Sequence, residues 1–273
     1  METVHTYQPS HPLLKPVLSY IRIWRRDKTD TQAGLFLPHN SSGFGMTLSG
    51  SLMVKNHDNF ETMPLIGTRD IFRNAKWVKT EGRFLNVSVS FIMPNGLHLF
   101  TKIPSDKIYG ENAFSLCHMF KRQEIDDLTE QMLEACSDER KVSVLEDFLA
   151  AKIIHQSPLV FSHIIQYIHA TKGVISLSYL SRNYKLSERT INRYFNKLVG
   201  INPTEYIHLI RFRSFIRQAG DSGNHESILS KALHAGFYDQ SHFIRQFKKF
   251  SSVTPYRFFK GKENLSVSDF YNF

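Results

Sequence analysis

Cysteine is almost absent from this chain of 273 residues, which contains only Cys117 and Cys136. Two cysteines cannot form a disulfide framework, and neither has a second thiol at the spacing that a metal site requires. Apolar runs of about 18 residues, long enough to cross a bilayer, are absent as well, and the first residues lack the layout of a secretory signal. The sequence therefore predicts a cytoplasmic protein with reduced thiols and no membrane partner.

Length and composition together predict two folded domains. At about 150 residues per domain, the chain corresponds to roughly 1.8 domains, and each would be large enough to hold its own core. Hydrophobic residues make up 41% of the chain and charged residues 22%, as is usual for globular proteins. Disordered, collagen-like and coiled-coil classes are therefore excluded.

The formal net charge of +9 lies entirely in the C-terminal part of the chain. Residues 1–155 contain 18 Lys and Arg against 18 Asp and Glu, whereas residues 156–273 contain 16 against 7, and 16 minus 7 is +9. A domain with such an excess attracts polyanions and can release counterions from a phosphate backbone. The distribution favours nucleic acid as the partner over a basic surface that serves solubility alone.

The N-terminal part has the alternating pattern of β-strands. Leu85, Val87, Val89 and Phe91 alternate with polar residues at a period of two, which is typical of a strand with one buried face. Shorter strands are predicted over residues 17–24, 34–37 and 45–54. We expect the last of these to fold back on itself at Gly50-Ser51.

Helical patterns follow the predicted strands. Apolar residues recur at helical spacing from residue 123 to 154, and Ser157-Pro158 has the residue types that begin a new helix. We therefore expect an α+β protein with a β-rich domain and its closing, connecting helices over residues 1–155. An all-α domain would occupy residues 156–273.

A degenerate repeat with an offset of 52 residues lies in the basic domain. A fixed period indicates repeated structural units, and we expect two small equivalent modules. The matching positions are Ile191/Phe243, Arg193/Arg245, Phe195/Phe247, Lys197/Lys249, Leu198/Phe250, Pro203/Pro255 and Tyr206/Phe258.

Each module has the pattern of a short helix, a turn and a second helix. Ser176 and Ser187 stand at cap positions in the first module, and Asp239 follows the turn at Gly236-Phe237 in the second. Helix-turn-helix motifs insert the second helix into a major groove, where Arg can bind guanine and Asn or Gln can bind adenine. A helical bundle with polar exposed positions is the competing interpretation, but two copies and segregated charge favour DNA.

A further helix beginning at Asn202-Pro203 is predicted to connect the two modules. It can hold the two second helices at a fixed separation. If that separation is about 34 Å, one turn of B-DNA, one chain would read two successive major grooves.

These residues resemble the DNA-binding domain of the AraC/XylS family of bacterial transcription regulators. The most specific match is the stretch 235–249 followed by Val253-Thr254-Pro255, and the segment from Ser187 to Pro203 supplies a weaker first half. The resemblance covers residues 158–260, and it implies a double helix-turn-helix domain. Lys185, Lys231 and Ser252 depart from the family pattern, since a glycine, a buried aliphatic residue and a glycine are usual there.

The resemblance and the outward faces of the helices imply a set of DNA-contacting residues. We expect base contacts from Arg189, Asn192, Arg193, Gln240, Ser241, His242 and Arg245. We expect phosphate contacts from Lys197, Lys248 and Lys249.

The N-terminal part resembles, more weakly, the β-rich sensor-like domains of such regulators. We therefore predict a sequence-specific DNA-binding transcription regulator whose partner is double-stranded DNA. A small-molecule or protein effector and a homodimer through the N-terminal domain are left open, and RNA polymerase would be a partner if the protein activates transcription. The residues identify no effector-binding site.

A metal-dependent enzyme of the cupin type, carrying an appended DNA-binding module, is the alternative. A β-barrel could gather potential ligands, but no pair has a His-x-His or His-Glu-x-x-His spacing, and no nucleophile elbow or phosphate loop is present. We therefore predict no enzymatic activity, no cofactor and no metal site. The potential ligands considered are His39, His57, His98, His118 and Cys117.

Overall fold

The computed structural model divides the chain into two compact units. It describes residues 2–56, 58–69, 74–108, 119–154, 156–220 and 226–260. The first unit lies within residues 1–157. The second begins at Pro158, and short segments of the N-terminal half, which include residues 34–40 and 74–76, belong to it.

The strands of the described residues form one seven-stranded sheet. The strands are β1 (Glu2–Tyr7), β2 (Leu18–Arg26), β3 (Gln32–Phe36), β4 (Gly43–Asn56), β5 (Asn59–Thr62), β6 (Ile66–Arg69) and β7 (Lys76–Phe91). Five of them follow the order β1-β2-β7-β4-β5, and β6 pairs with β4. The pairs β1-β2, β2-β7, β4-β5, β4-β6 and β4-β7 are antiparallel.

The two faces of this sheet differ in chemistry. Ile23 and Met46 both pair with Val87, and this apolar face joins the core of the unit. Neighbouring residues of the same strands point to the opposite face. There Asn86 donates a hydrogen bond to the hydroxyl of Thr47 at 3.1 Å, and both side chains are buried. The alternation predicted for residues 85–91 is therefore confirmed, but Asn86 and Ser90 on the face away from the core are buried too.

The predicted hairpin at Gly50-Ser51 is wrong. Residues 43–56 form the single strand β4, and its register against β7 shifts between Thr47 and Ser49 and again between Ser49 and Ser51. Gly50 has a φ of 75°, and a Cβ atom there would lie 2.6 Å from the carbonyl oxygen of Arg83. The glycine therefore serves a β-bulge, where two strands approach closely, rather than a turn.

Helices cover the apolar face of the sheet and hold the N-terminal segment. They are α1 (Ser105–Ile108), α2 (Arg122–Glu134) and α3 (Asp138–Ala150), and a 3-10 turn spans Gly96–Leu99. The apolar residues of α2 and α3, among them Leu128 and Leu145, lie in the same core as the sheet. Glu146 of α3 is buried and accepts a hydrogen bond from the backbone N–H of Ser10 at 2.6 Å.

The second unit is helical, as predicted. Its helices are α4 (Leu159–Ala170), α5 (Leu177–Tyr184), α6 (Glu188–Leu198), α7 (Pro203–Gly220), α8 (Ile228–His234), α9 (Gln240–Ser251) and α10 (Pro255–Lys260). None of the helices in the described ranges is both long enough and apolar enough to span a membrane. The assignment of domains to residues 1–155 and 156–273 remains a prediction.

The segments around residues 34–40 and 74–76 are bonded into the helical unit. The hydroxyl of Tyr206 donates to the carbonyl oxygen of Asn40 at 2.9 Å, and Nη1 of Arg213 donates to that of Pro38 at 2.9 Å. The backbone N–H of Ala75 donates to the carbonyl oxygen of Phe250 at 2.7 Å. Two stretches of the N-terminal half therefore complete a unit that sequence reasoning assigned to residues 156–273 alone.

Candidate nucleic-acid interface

The first helix-turn-helix motif consists of α5 and α6, with the caps that the sequence predicts. The hydroxyl of Ser176 accepts from the N–H of Tyr179 at 3.1 Å, and that of Ser187 accepts from the N–H of Thr190 at 3.1 Å. These bonds satisfy N–H groups that the first turn of a helix leaves without a partner. Lys185 occupies the turn with a φ of 52°, where a glycine is usual in the family.

The second motif, α8 and α9, repeats this construction. Asp239 caps α9 by accepting from the N–H of His242 at 2.7 Å, and Gly236 occupies the turn with a φ of 86°. Ser252 ends α9 with a φ of 62°. Lys231 of α8 is buried, with 7% of its surface exposed, at the position where the family pattern has an aliphatic residue.

Each second helix buries one stripe of side chains and exposes another. Helix α6 buries Ile191, Phe195 and Leu198, and α9 buries Phe243, Phe247 and Phe250. The stripe of one helix corresponds to that of the other at the 52-residue offset, which shows that the two modules are structurally equivalent.

The outward stripes correspond in the same way. Arg189, Arg193 and Asn196 follow each other at spacings of four and three residues on α6, and all are exposed. At the 52-residue offset, α9 exposes Ser241, Arg245 and Lys248. We name these six residues the reader stripes. Asn196 corresponds to Lys248, which the sequence predicts to contact phosphate.

Asn192 and His242 lie beside the reader stripes, and both are partly buried. The Nδ2 group of Asn192 donates to the carbonyl oxygen of Glu188, one turn earlier, at 2.8 Å. The backbone N–H of Tyr238 donates to Nδ1 of His242 at 3.3 Å. His242 therefore carries its proton on Nε2 when it is neutral, and Gln240 nearby is exposed.

Two histidines meet where α9 packs against α7. The ring of His242 lies 6.3 Å from that of His208, centroid to centroid. Burial, followed by the positive charges of Arg211 and Arg245, lowers the pKa of His242, although Asp239 opposes the shift. Burial and Arg211 also lower the pKa of His208, to about 4. Both rings are therefore neutral near pH 7.

The three lysines predicted to contact phosphate have different surroundings. Lys197 and Lys248 are exposed. Lys249 forms an ion pair with Glu205 of α7, with Nζ 2.9 Å from Oε1. Sequence reasoning missed Glu205 because the two residues are 44 positions apart and share no repeat, so no local pattern connects them.

Potential metal ligands do not cluster in the part of the chain that the structure describes. No group of three or more His, Cys, Asp or Glu side chains there is arranged to hold a metal ion. His39 and His98 lie within that part, whereas His57, His118 and Cys117 lie outside the described residues.

Comparison with known proteins agrees with this geometry. A family model described as a helix-turn-helix domain matches residues 180–261. Among curated proteins, none has significant sequence similarity to the chain.

Solved structures that match this chain include ToxT from Vibrio cholerae. One ToxT structure is 18% identical, with a TM-score of 0.44, and the alignment covers 87% of this chain and 96% of that one. A second, of ToxT bound to (E)-4-(8-methylnaphthalen-1-yl)but-3-enoic acid, is 17% identical with a TM-score of 0.46 and coverages of 94% and 98%. The AraC-like transcriptional activator CuxR is 13% identical with a TM-score of 0.27 and coverages of 81% and 88%.

The paired helix-turn-helix motifs and the matching family model define the class of this protein, a DNA-binding transcription regulator. More particularly, its C-terminal region is a helix-turn-helix domain of the AraC type, as the resemblance of residues 235–249 implies.

Proposed function

We propose that one chain reads two successive major grooves of double-stranded DNA, with α6 in one groove and α9 in the next. The equivalence of the two reader stripes carries this proposal. Each stripe lies on the second helix of a helix-turn-helix motif, the element that enters a major groove. Both motifs belong to one compact unit, so they can act on one face of the duplex.

The chemistry of the reader stripes suits base edges. A guanidinium can form two hydrogen bonds to O6 and N7 of guanine, so Arg193 and Arg245, which occupy equivalent positions, are the foremost candidates for such contacts. The amides of Asn192 and Gln240 can bind adenine, although Asn192 would first have to release the carbonyl of Glu188. The proposed base-contacting residues are Arg189, Asn192, Arg193, Gln240, Ser241, His242 and Arg245.

Exposed lysines of α6 and α9 are proposed to hold phosphates. Lys197, Lys248 and Lys249 would release counterions on binding, each adding about −0.9 to the slope of log K against log salt. The excess of positive charge over residues 156–273 supports this assignment.

Footprinting tests the two-groove proposal. In-vitro selection with the full chain, followed by footprinting of the selected duplex, should give two different elements about 10 base pairs apart for each protomer. The elements should differ because Arg189 and Ser241, at equivalent positions, have different side chains. Protection of a single palindrome that needs two protomers would contradict the proposal.

The N-terminal unit is proposed to modulate this activity. It has its own apolar core and a buried polar sheet face, on which Arg26 is 1% exposed and donates to the hydroxyl of Thr80 at 2.8 Å. Substitution of Asn86 or Thr47 on that face should change transcription from a target promoter while leaving base preference unchanged. Transcription that follows DNA affinity alone would contradict a regulatory role for this unit.

A further inference from the structure

Helix α7 can set the distance between α6 and α9 only if each module is fixed to it. The segment after α4, which leads into the first module, is fixed to α7 at one carbonyl group. Nε and Nη2 of Arg211 both donate to the carbonyl oxygen of Gly173, at 3.0 and 2.7 Å. Two parallel N–H groups of a planar guanidinium hold an acceptor in direction as well as in distance.

The backbone of α7 also lies directly against Gly173, which is buried and has a φ of 71°. A Cβ atom at this glycine would lie 2.4 Å from the carbonyl oxygen of Ile207 and 2.7 Å from the backbone nitrogen of Arg211. No other residue fits without separating the two segments. The end of α4 and the middle of α7 are therefore in contact backbone to backbone.

The residue that follows, Val174, contacts the second module. A Cβ atom on Gly236, in the turn before α9, would lie 2.8 Å from Cγ2 of Val174. Residues 173–174 therefore touch α7 on one side and the turn of the second motif on the other. We name this arrangement of Gly173, Val174, Arg211 and Gly236 the inter-module joint.

We infer that Arg211 is a positioning residue that fixes the separation and relative rotation of α6 and α9, and so makes the protein selective for one spacing of its two DNA elements. The inference rests on the proposed two-groove function. Each base pair inserted between the elements moves the second by about 3.4 Å and rotates it by roughly 35°. If a rigid contact holds α6 and α9 together, the two helices cannot follow the displaced DNA element. If α7 alone joined them, they could adapt to it.

The experiment measures affinity against spacing. The full chain selects its site in vitro, and duplexes are then made with one or two base pairs inserted or removed between the elements. For the natural protein, two inserted base pairs should lower affinity at least tenfold, or about 1.4 kcal/mol. For Arg211→Ala, the loss between the original and altered spacing should fall below about threefold, or about 0.7 kcal/mol.

Three controls separate positioning from other roles. Arg217→Ala removes an exposed arginine at the end of the same helix and should keep the steep spacing profile. Arg211→Lys keeps the positive charge but loses the planar guanidinium whose two N–H groups bind the carbonyl of Gly173. The variant should therefore keep the salt dependence of DNA binding and still have a flatter spacing profile. Duplexes with only one intact element should bind Arg211→Ala as well as they bind the natural protein, which shows that the readers themselves are intact.

Val174→Gly loosens the other side of the joint without touching Arg211. Val174 is 52% exposed, so the variant should fold, and it tests the inference even if Arg211→Ala unfolds. The inference is overturned if Val174→Gly and Arg211→Lys both keep the natural spacing profile. If the natural protein itself shows no spacing preference, the two-groove function fails instead.

Discussion

His169 donates its Nε2 proton to the hydroxyl oxygen of Tyr206, 2.8 Å away. The direction of this bond follows from a second one, because the hydroxyl proton of Tyr206 is donated to the carbonyl oxygen of Asn40. Burial, helped by the charge of Arg213, lowers the pKa of His169 to about 4. The histidine is therefore neutral near pH 7 and held in a single tautomer.

Folding stability should fall as the pH falls from about 6.5 towards 4. A histidine in the unfolded chain binds a proton below about pH 6.5, whereas His169 and His208 in the folded protein resist protonation down to about pH 4. Their contribution is complete above pH 6.5 and is lost across this window. Denaturant unfolding at a series of pH values measures the loss.

Replacement of His169 isolates its share of that loss. His169→Gln keeps an N–H donor for Tyr206 but cannot titrate, so its stability should decline less between pH 6.5 and 4 than that of the natural protein. His163→Gln, on the exposed side of the same helix, should not change the profile. An unchanged decline in His169→Gln would show that His169 does not resist protonation.

Loss of the Tyr206 hydroxyl should destabilise the protein. Tyr206→Phe leaves the partly buried N–H of His169 and the carbonyl of Asn40 without this partner, at a cost of about 1–3 kcal/mol. Tyr238→Phe is the matched control, because Tyr238 is 88% exposed and its hydroxyl faces water. Equal midpoints of urea unfolding for the two variants would refute the buried hydrogen bonds.

Glycine should stabilise the folded protein at two positions where the backbone is left-handed. Lys185 and Ser252 have φ values of 52° and 62°, in the left-handed region that costs L-residues about 1–2 kcal/mol. Glycine removes this strain but is more flexible when unfolded, so Lys185→Gly and Ser252→Gly should each gain roughly 0.5–1 kcal/mol. Lys197→Gly, within α6, should lose about 1 kcal/mol. If thermal unfolding shows that all three substitutions change the stability in the same direction, the strain assigned to Lys185 and Ser252 is contradicted.

The two modules were predictable because their signals are local. A cap such as Ser187 or Asp239 acts within three residues, and the 52-residue repeat reveals both reader stripes without any knowledge of tertiary structure. The bonds of Tyr206 to Asn40 and of Lys249 to Glu205 join residues 166 and 44 positions apart. Such contacts follow from the packing of whole elements and leave no periodic trace in the sequence.

Removal of the Glu205 carboxylate should strengthen DNA binding without changing its specificity. Glu205→Gln releases Lys249 from its ion pair and removes a negative charge beside a proposed phosphate contact. Affinity should rise by a similar factor for selected and random duplexes, in titrations at matched salt. Glu188→Gln, at the exposed start of α6, provides the charge-matched comparison. A rise for only one type of duplex would place Lys249 outside the phosphate-binding group.

Substitution of the reader arginines should relax sequence preference. Arg193→Ala and Arg245→Ala should each cost roughly 1–3 kcal/mol on the selected site and remove discrimination at one base position. Lys197→Ala should weaken all sequences alike. Binding to a library of site variants distinguishes these results, and a uniform loss for both arginines would reassign them to phosphate contacts.

The hydrogen bonds to Pro38, Asn40 and Ala75 limit how the protein can be divided. A chimaera that grafts residues 158–273 onto a foreign sensor would leave behind the acceptors for Arg213 and Tyr206 and the donor for the carbonyl of Phe250. The helical unit is therefore not an interchangeable cassette. A working exchange would have to transplant segments 34–40 and 74–76 along with it, or supply equivalent backbone groups from the new partner.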